Sequence, residues 1–148
     1  MSNLYETDAY TWAMRQADAL RRRSANEIDW DNVAEEIESV GESEARELES
    51  RYAVLLAHLL KWRFQPDARS RSWEATIKVQ RRVIEREHGK NPGLKPMREG
   101  LFADAYVQAL GAAVQETGLG LEVFPEANPF TLAEVVDESF WPEPPAGT

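Results

Sequence analysis

The amino-acid sequence predicts an all-α protein, a compact single-domain bundle of about five to six helices with a long or kinked central helix. Apolar residues recur three and four positions apart through most of the chain, a spacing that places them on one face of an α-helix. No segment shows the alternating, β-branched pattern of a strand between turn residues. We expect one helical domain over residues 1–141 and a flexible proline-rich tail over residues 142–148.

The composition excludes several classes of protein. The chain contains no cysteine, which excludes disulfide-stabilised folds, thiolate nucleophiles and metal sites built on sulfur ligands. No secretory signal is visible, and the longest apolar run, residues 53–60, is too short to cross a bilayer. These features predict a cytoplasmic protein without a membrane partner.

The charges are segregated along the chain. The net charge of −9 weighs against nucleic-acid binding, because Lys and Arg contacts to phosphates supply most of that affinity. Residues 27–50 contain 10 acidic residues and 1 basic residue, residues 51–98 contain 12 basic and 4 acidic residues, and residues 99–148 contain 9 acidic residues and no basic residue. The basic region between two acidic blocks predicts a surface for an acidic protein or a small anion.

Caps and apolar spacing place the first two helices. The first helix begins at Thr7 or Asp8, whose side chains can accept hydrogen bonds from the free N–H groups of a helix start. The second begins near Asp29 or Asp31. The residues expected to face inward are Trp12, Ala13, Ala17, Leu20, Val33, Ile37 and Val40.

The apolar stripe of the second helix resumes beyond Gly41 and raises the question of one continuous helix. A helix over residues 31–63 would be about 50 Å long, whereas a compact domain of this size has a radius of gyration of about 15 Å. We therefore expect a kink or break at Gly41. The stretch from Tyr52 to Trp62 is apolar nearly all round, so we expect it to be the most buried.

Turn and cap residues divide the remainder of the chain. Pro66 ends the central helix, and the next helix covers about residues 70–88. An alanine-rich helix follows over about residues 97–117. Thr131 and Glu134 have the spacing of a capping box, which predicts a last short helix.

The segment Arg69, Ser70, Arg71, Ser72 and Trp73 is the main candidate for a binding site. It sets two guanidinium groups and two hydroxyls where a helix N-terminus exposes free N–H groups, an arrangement that suits a phosphate, a carboxylate or a nucleotide stacked on Trp73. The alternative is structural: one serine caps the helix, and the arginines pair with the acidic block of the same domain.

A second candidate site centres on His58, which lies in the most apolar helix close to Lys61. As a catalytic base it would be oriented by a carboxylate of the preceding acidic helix, such as Glu35 or Glu38. The simpler interpretation is a core-edge histidine with a structural hydrogen bond, because buried polar groups are nearly always satisfied in that way.

The few possible metal ligands do not form a complete motif. Glu85 and His88 have the Glu-x-x-His spacing of di-iron bundles. The second copy of the motif is missing, because Leu55 stands three residues before His58. We expect no metal site and no cofactor, with His58, His88 and Glu85 as the remaining candidate ligands.

Four stretches of the sequence carry a resemblance to a known family. They are YETDAYTW (residues 5–12), NVAEEIESVGESEARELESR (32–51), LLAHLLKWRFQPDARSRSWEATI (55–77) and FWPE (140–143). Together they resemble the bacterial family catalogued as domain of unknown function 29. The resemblance implies a compact helical protein. It implies no activity, because the family has none assigned.

Three functional hypotheses follow. The leading one is a non-enzymatic helical binding module that uses the basic region, residues 51–98, to engage an acidic protein or a small anion. The second is a metal-assisted hydrolase or nuclease-like enzyme that uses His58, Lys61 and carboxylates of the acidic helix. The third is a structural homo-oligomer in which acidic and basic faces of neighbouring subunits meet.

Overall fold

The computed structural model describes residues 3–146, and these residues fold entirely into helices, turns and loops. No strand is present in this part of the chain. The α-helices are α1 (Leu4–Thr7), α2 (Ala9–Arg21), α3 (Trp30–Phe64), α4 (Arg71–Lys90), α5 (Arg98–Thr117) and α6 (Leu132–Val136). Short 3-10 helices span Ala25–Glu27, Pro66–Ala68, Pro92–Met97 and Leu121–Val123. The predicted all-α class is therefore confirmed.

Helix α3 continues without interruption through Gly41, so the predicted break at that residue is wrong. A glycine in a helix interior costs only about 1 kcal/mol relative to alanine, which the surrounding helix tolerates. The expectation of a break also assumed one compact body. The chain instead forms two compact units, one ending at Ser43 and the other beginning at Glu44, and α3 supplies residues to both. A single domain over residues 1–141 stays a prediction.

The first unit contains α1, α2 and the beginning of α3. Asp8 caps α2 by accepting a hydrogen bond from the Thr11 backbone N–H at 3.0 Å, as its position predicts. Trp12 is buried, and its indole N–H donates to Asp29 Oδ2 at 3.0 Å. The ring of Tyr5 lies 4.6 Å from that of Trp12. These side chains connect the helices of the unit.

Part of the first unit's apolar surface is exposed. Ile37 and Val40 are 66% and 63% exposed, and Leu20 is 44% exposed. Ala13 is exposed as well. The expectation that these residues face inward is therefore wrong. Helical spacing identifies an apolar face, but it does not identify a neighbour that covers the face.

The second unit holds a large hydrophobic core built around the second half of α3. Tyr52, Leu55 and Leu59 are fully buried, in agreement with the prediction for this stretch. Small residues on α5 are also fully buried, which lets other elements approach that helix closely. The core partners from α4, α5 and the C-terminal segment are Ile77, Ile84, Phe102, Ala105, Ala109, Ala113, Phe124, Phe130 and Val135.

The C-terminal segment packs on the same core. Thr131 and Glu134 form the predicted capping box at the start of α6. The ring of Trp141 lies 4.7 Å from that of Trp62, and Pro142 is buried. Mobility of residues 142–148 stays a prediction, and its last two positions, Gly147 and Thr148, lie outside the described residues. None of the helices formed by residues 3–146 has the length and apolar character needed to span a membrane.

Candidate functional site

The predicted binding segment lies at the start of α4. Ser70 is the N-cap residue, and its hydroxyl oxygen accepts a hydrogen bond from the Trp73 backbone N–H at 3.1 Å. Arg71 and Ser72 are exposed, whereas Trp73 is half-buried. The cap explains why the helix begins here, since one of its free N–H groups is satisfied by the serine.

Arg69 is held inside the second unit. Its Nε–H donates to the backbone carbonyl of Trp62 at 2.8 Å, close to the end of α3, and its guanidinium carbon lies 4.7 Å from the centre of the Trp62 ring. A cation is favourable at this position, because the last carbonyls of a helix carry partial negative charge. The predicted cluster therefore divides into two half-buried residues, Arg69 and Trp73, and three exposed residues, Ser70, Arg71 and Ser72.

Further along α4, exposed basic residues form one row. At about 100° per residue, Arg71, Lys78, Arg82 and Arg86 fall within a sector of about 80°, on the side away from the buried residue Ile84. We call these four residues the α4 basic stripe. The stripe is about 22 Å long, because each helical residue advances 1.5 Å.

The α4 basic stripe is largely free of internal partners. Lys78 pairs with Glu74 on the same helix at 3.0 Å, an exposed pair of a kind that contributes little to stability. Arg71, Arg82 and Arg86 form no ion pair with any residue between positions 3 and 146. Their charges are therefore available at the surface.

Other cations of the basic region have partners within the second unit. Lys90 contacts Glu44 at 3.4 Å, and Arg51 contacts Glu47 at 2.8 Å. Arg98 donates to the backbone carbonyl of His88 at 3.2 Å. The basic residues of the region 51–98 thus fall into two groups. One group makes contacts within the second unit, and the other is exposed on α4.

Arg81 is the most deeply engaged of these internal cations. Its side chain is 3% exposed, and its guanidinium donates to the carbonyls of Val135 at 2.7 Å, Phe140 at 2.6 Å and Glu138 at 3.5 Å. The guanidinium carbon also lies 5.3 Å from the centre of the Trp141 ring. A planar group with five N–H donors suits several carbonyls at once. Arg81 therefore fixes the C-terminal segment to α4.

His58 and Lys61 are in contact, and the carboxylate that Lys61 pairs with is Glu116 of α5, not Glu35 or Glu38. Lys61 is 4% exposed, and its Nζ lies 2.7 Å from Glu116 Oε2, 3.4 Å from His58 Nε2 and 5.1 Å from the centre of the Trp73 ring. His58 Nδ1 lies 2.9 Å from the Val54 carbonyl. This distance assigns the ring proton to Nδ1 and leaves Nε2 as an acceptor for Lys61.

The cluster borders a shallow groove of about 340 Å³ lined by His58, Glu116, Gln108 and small residues of α3 and α5. Burial lowers the pKa of His58, and the positive charge of Lys61 lowers it further against the opposing effects of the Val54 carbonyl and Glu116. Because each polar group of the cluster has a partner within the unit, these contacts support a structural role. Glu35 and Glu38 are exposed residues of the first unit.

The candidate metal ligands have other contacts. His88 Nε2 and the hydroxyl of the buried Tyr52 form a hydrogen bond at 2.5 Å, and Glu85 is exposed. Burial lowers the pKa of His88, and Arg98 lowers it further. Across residues 3–146, no group of three or more His, Asp or Glu side chains is arranged to hold a metal ion.

The two histidines predict a loss of stability in mild acid. Each has a folded-state pKa below its ordinary value of about 6.5, so the unfolded chain binds protons first as the pH falls. The free energy of unfolding is therefore expected to decrease from about pH 6.5 downward and to level off below the folded-state pKa values. Urea unfolding between pH 5 and 8 measures this pH dependence. H58Q and H88Q should each show a smaller decrease of the unfolding free energy than the wild type.

Carboxylates affect the stability at lower pH than the histidines do. Hydrogen bonds from Asn32 and Trp12 lower the pKa of Asp29, so its contribution to stability is lost only as the pH falls below about 4. A decrease between pH 6.5 and 5 that persists unchanged in the H58Q, H88Q double variant would contradict the assignment to the histidines.

The fold and the site define an all-helical protein that presents a row of exposed cations on α4. The buried side chains of Lys61 and Arg81 are bound to partners within the second unit. A family profile described as "Domain of unknown function DUF29" matches residues 4–141, and the chain belongs to this family. The resemblance seen in the sequence is therefore confirmed. No curated protein and no solved structure matches the chain.

Proposed function

We propose that this protein is a non-enzymatic helical binding module that engages an acidic partner protein through the α4 basic stripe. The observation that carries the proposal is the row formed by Arg71, Lys78, Arg82 and Arg86, four exposed cations on one face of one helix. Like charges in a row repel one another, so an acidic surface laid along them gains electrostatic energy at each position. A cytoplasmic setting is part of the proposal.

An extended acidic segment fits the stripe better than a small anion does. The four cations spread over about 22 Å, and a phosphate or carboxylate ion reaches only those next to it. Val79 lies beside the stripe and is 53% exposed, which adds an apolar contact suited to a protein partner.

The test uses a fluorescently labelled 20-residue polyglutamate peptide as an acidic probe, with binding measured by anisotropy at low salt. We expect R82E to raise the Kd about tenfold, since charge reversal replaces an attraction with a repulsion. K95E is the matched control, because Lys95 is an exposed cation of the same unit that lies outside the stripe. It should change the Kd less than threefold.

Two results would overturn the proposal. An equal increase of the peptide Kd in R82E and K95E would show that binding depends only on the net charge of the protein. Displacement of the peptide by inorganic phosphate, at an ionic strength where chloride has no effect, would identify a small-anion site instead. Loss of binding as salt rises is expected in either case, because exposed charges are screened.

A further inference from the structure

A row of uncharged side chains runs along one side of α5 in the second unit. Its members, which fall within a sector of about 60° at about 100° per residue, are Ala103, Val107, Leu110 and Val114. Val107 is 72% exposed, and Leu110 and Val114 are half-buried. The steps of four, three and four residues along the row are those of the seam between two packed helices. The row therefore has the spacing that a second helix needs.

A pocket adjoins this row where the chain folds back over α5. Its volume is about 610 Å³, and it lies between α5 and the turn formed by residues 121–126. Its apolar walls are Leu110, Leu121, Phe124 and Pro125. Leu121 is 60% exposed, so the pocket opens to solvent at its rim. We call the row and this pocket together the α5 groove.

The walls of the pocket are fixed by the core behind them. Phe124 is buried, and its ring lies 5.5 Å from the ring of Phe64. The hydroxyl of the buried Tyr106 donates a hydrogen bond to the backbone carbonyl of Pro125 at 2.5 Å. A ligand therefore meets a preformed surface, which lowers the entropy cost of binding.

The charges that border the α5 groove are all negative. Glu122 and Glu126 line the pocket on one side of the row, and Asp104 lies on the other side, about 60° beyond the row. None of these three carboxylates forms an ion pair with any residue between positions 3 and 146. Residues 99–148 contain no basic residue that could neutralise them. A ligand of the groove therefore gains electrostatic energy when cations stand beside its apolar side chains.

We propose that the α5 groove binds a basic amphipathic helix of another protein. The apolar side chains of that helix contact the α5 row and the pocket, and its Lys or Arg side chains lie beside the three carboxylates. The row from Ala103 to Val114 is about 17 Å long, which corresponds to about three turns of the bound helix. Helix α4 of a second copy does not fit, because Val79 is the single large apolar side chain that it exposes. The groove shares no residue with the α4 basic stripe, so the inference does not depend on the proposed function.

Fluorescence anisotropy with a labelled peptide tests the proposal. The peptide has about 18 residues, enough to form a helix on binding, with leucine at four positions spaced as in the α5 row and lysine and alanine elsewhere. We expect E126K to raise the peptide Kd about tenfold, because charge reversal replaces an attraction with a repulsion. D67K is the matched control, since Asp67 is an exposed acid of the same unit outside the groove, and it should change the Kd less than threefold.

The apolar part of the contact has its own pair of variants. V107S should raise the peptide Kd about fivefold, because it removes apolar surface that the bound helix covers. V79S is the matched control, since Val79 is 53% exposed on α4 outside the groove, and it should change the Kd less than twofold. Val107 and Glu126 are exposed, so circular dichroism should show unchanged helix content in the variants.

A second peptide of the same composition, with its leucines moved out of the helical spacing, should bind at least about fivefold more weakly. Equal binding of the two peptides, or equal effects of E126K and D67K, would show that only net charge matters and would overturn the proposal. A wild-type Kd for the patterned peptide above about 1 mM, the range of very weak complexes, would also overturn it. Self-association in sedimentation velocity that E126K abolishes would identify a second copy as the occupant, contrary to the proposal.

Discussion

Replacing Arg81 with alanine is expected to lower the free energy of unfolding by about 2–4 kcal/mol. The substitution removes hydrogen bonds to three backbone carbonyls, of Val135, Glu138 and Phe140. It also removes the cation that lies against the Trp141 ring. The carbonyl of Val135 then remains in a buried environment without its donor, and an unsatisfied buried acceptor is costly. Urea unfolding followed by circular dichroism measures the loss.

The neighbouring arginine provides the control. Arg82 is exposed and belongs to the α4 basic stripe, so R82A should change the free energy of unfolding by no more than about 0.5 kcal/mol. R81K should restore only part of the loss, because an ammonium lacks the planar fork that reaches separate carbonyls. Equal losses for R81A and R82A would contradict the assigned role of Arg81.

Leu59→Ala is expected to lower the free energy of unfolding by about 2–5 kcal/mol, through lost burial and the cavity left behind. Leu59 is fully buried in the core of the second unit. Ile37→Ala should cost no more than about 0.5 kcal/mol, although both residues lie on apolar positions of α3, because Ile37 is 66% exposed. Urea unfolding of dilute protein compares the two variants.

The comparison between these variants checks where the core begins along α3. A loss for I37A as large as that for L59A, measured at a concentration where the chain is monomeric, would show that the first part of α3 is buried in solution. Unchanged stability in L59A would contradict the position of the core itself.

The features that could be predicted from the sequence are those whose partners lie close by along the chain. The cap at Asp8, the N-cap at Ser70 and the capping box at Thr131 involve partners only three residues away, so the local sequence contains the whole interaction. The burial of the stretch around Tyr52 was predictable for a similar reason, because a helix that is apolar nearly all round has no polar face to expose.

Features that depend on distant parts of the chain were not predictable. The partner of Lys61 is Glu116, 55 positions away, and the partners of Arg81 are at least 54 positions away. No spacing rule connects such residues. The exposure of Ile37 and the continuity of α3 at Gly41 were missed because a periodic stripe does not reveal how the chain divides into compact units.

The most direct test of the central claim, that the α4 basic stripe binds an acidic partner, is nuclear magnetic resonance of the ¹⁵N-labelled chain during titration with polyglutamate peptide. We predict that the backbone amide shifts change mainly between Arg71 and Arg86, with smaller changes elsewhere. Shifts confined to the arginine-rich end of α2, or an α4 spectrum that does not respond while the peptide binds, would contradict the account.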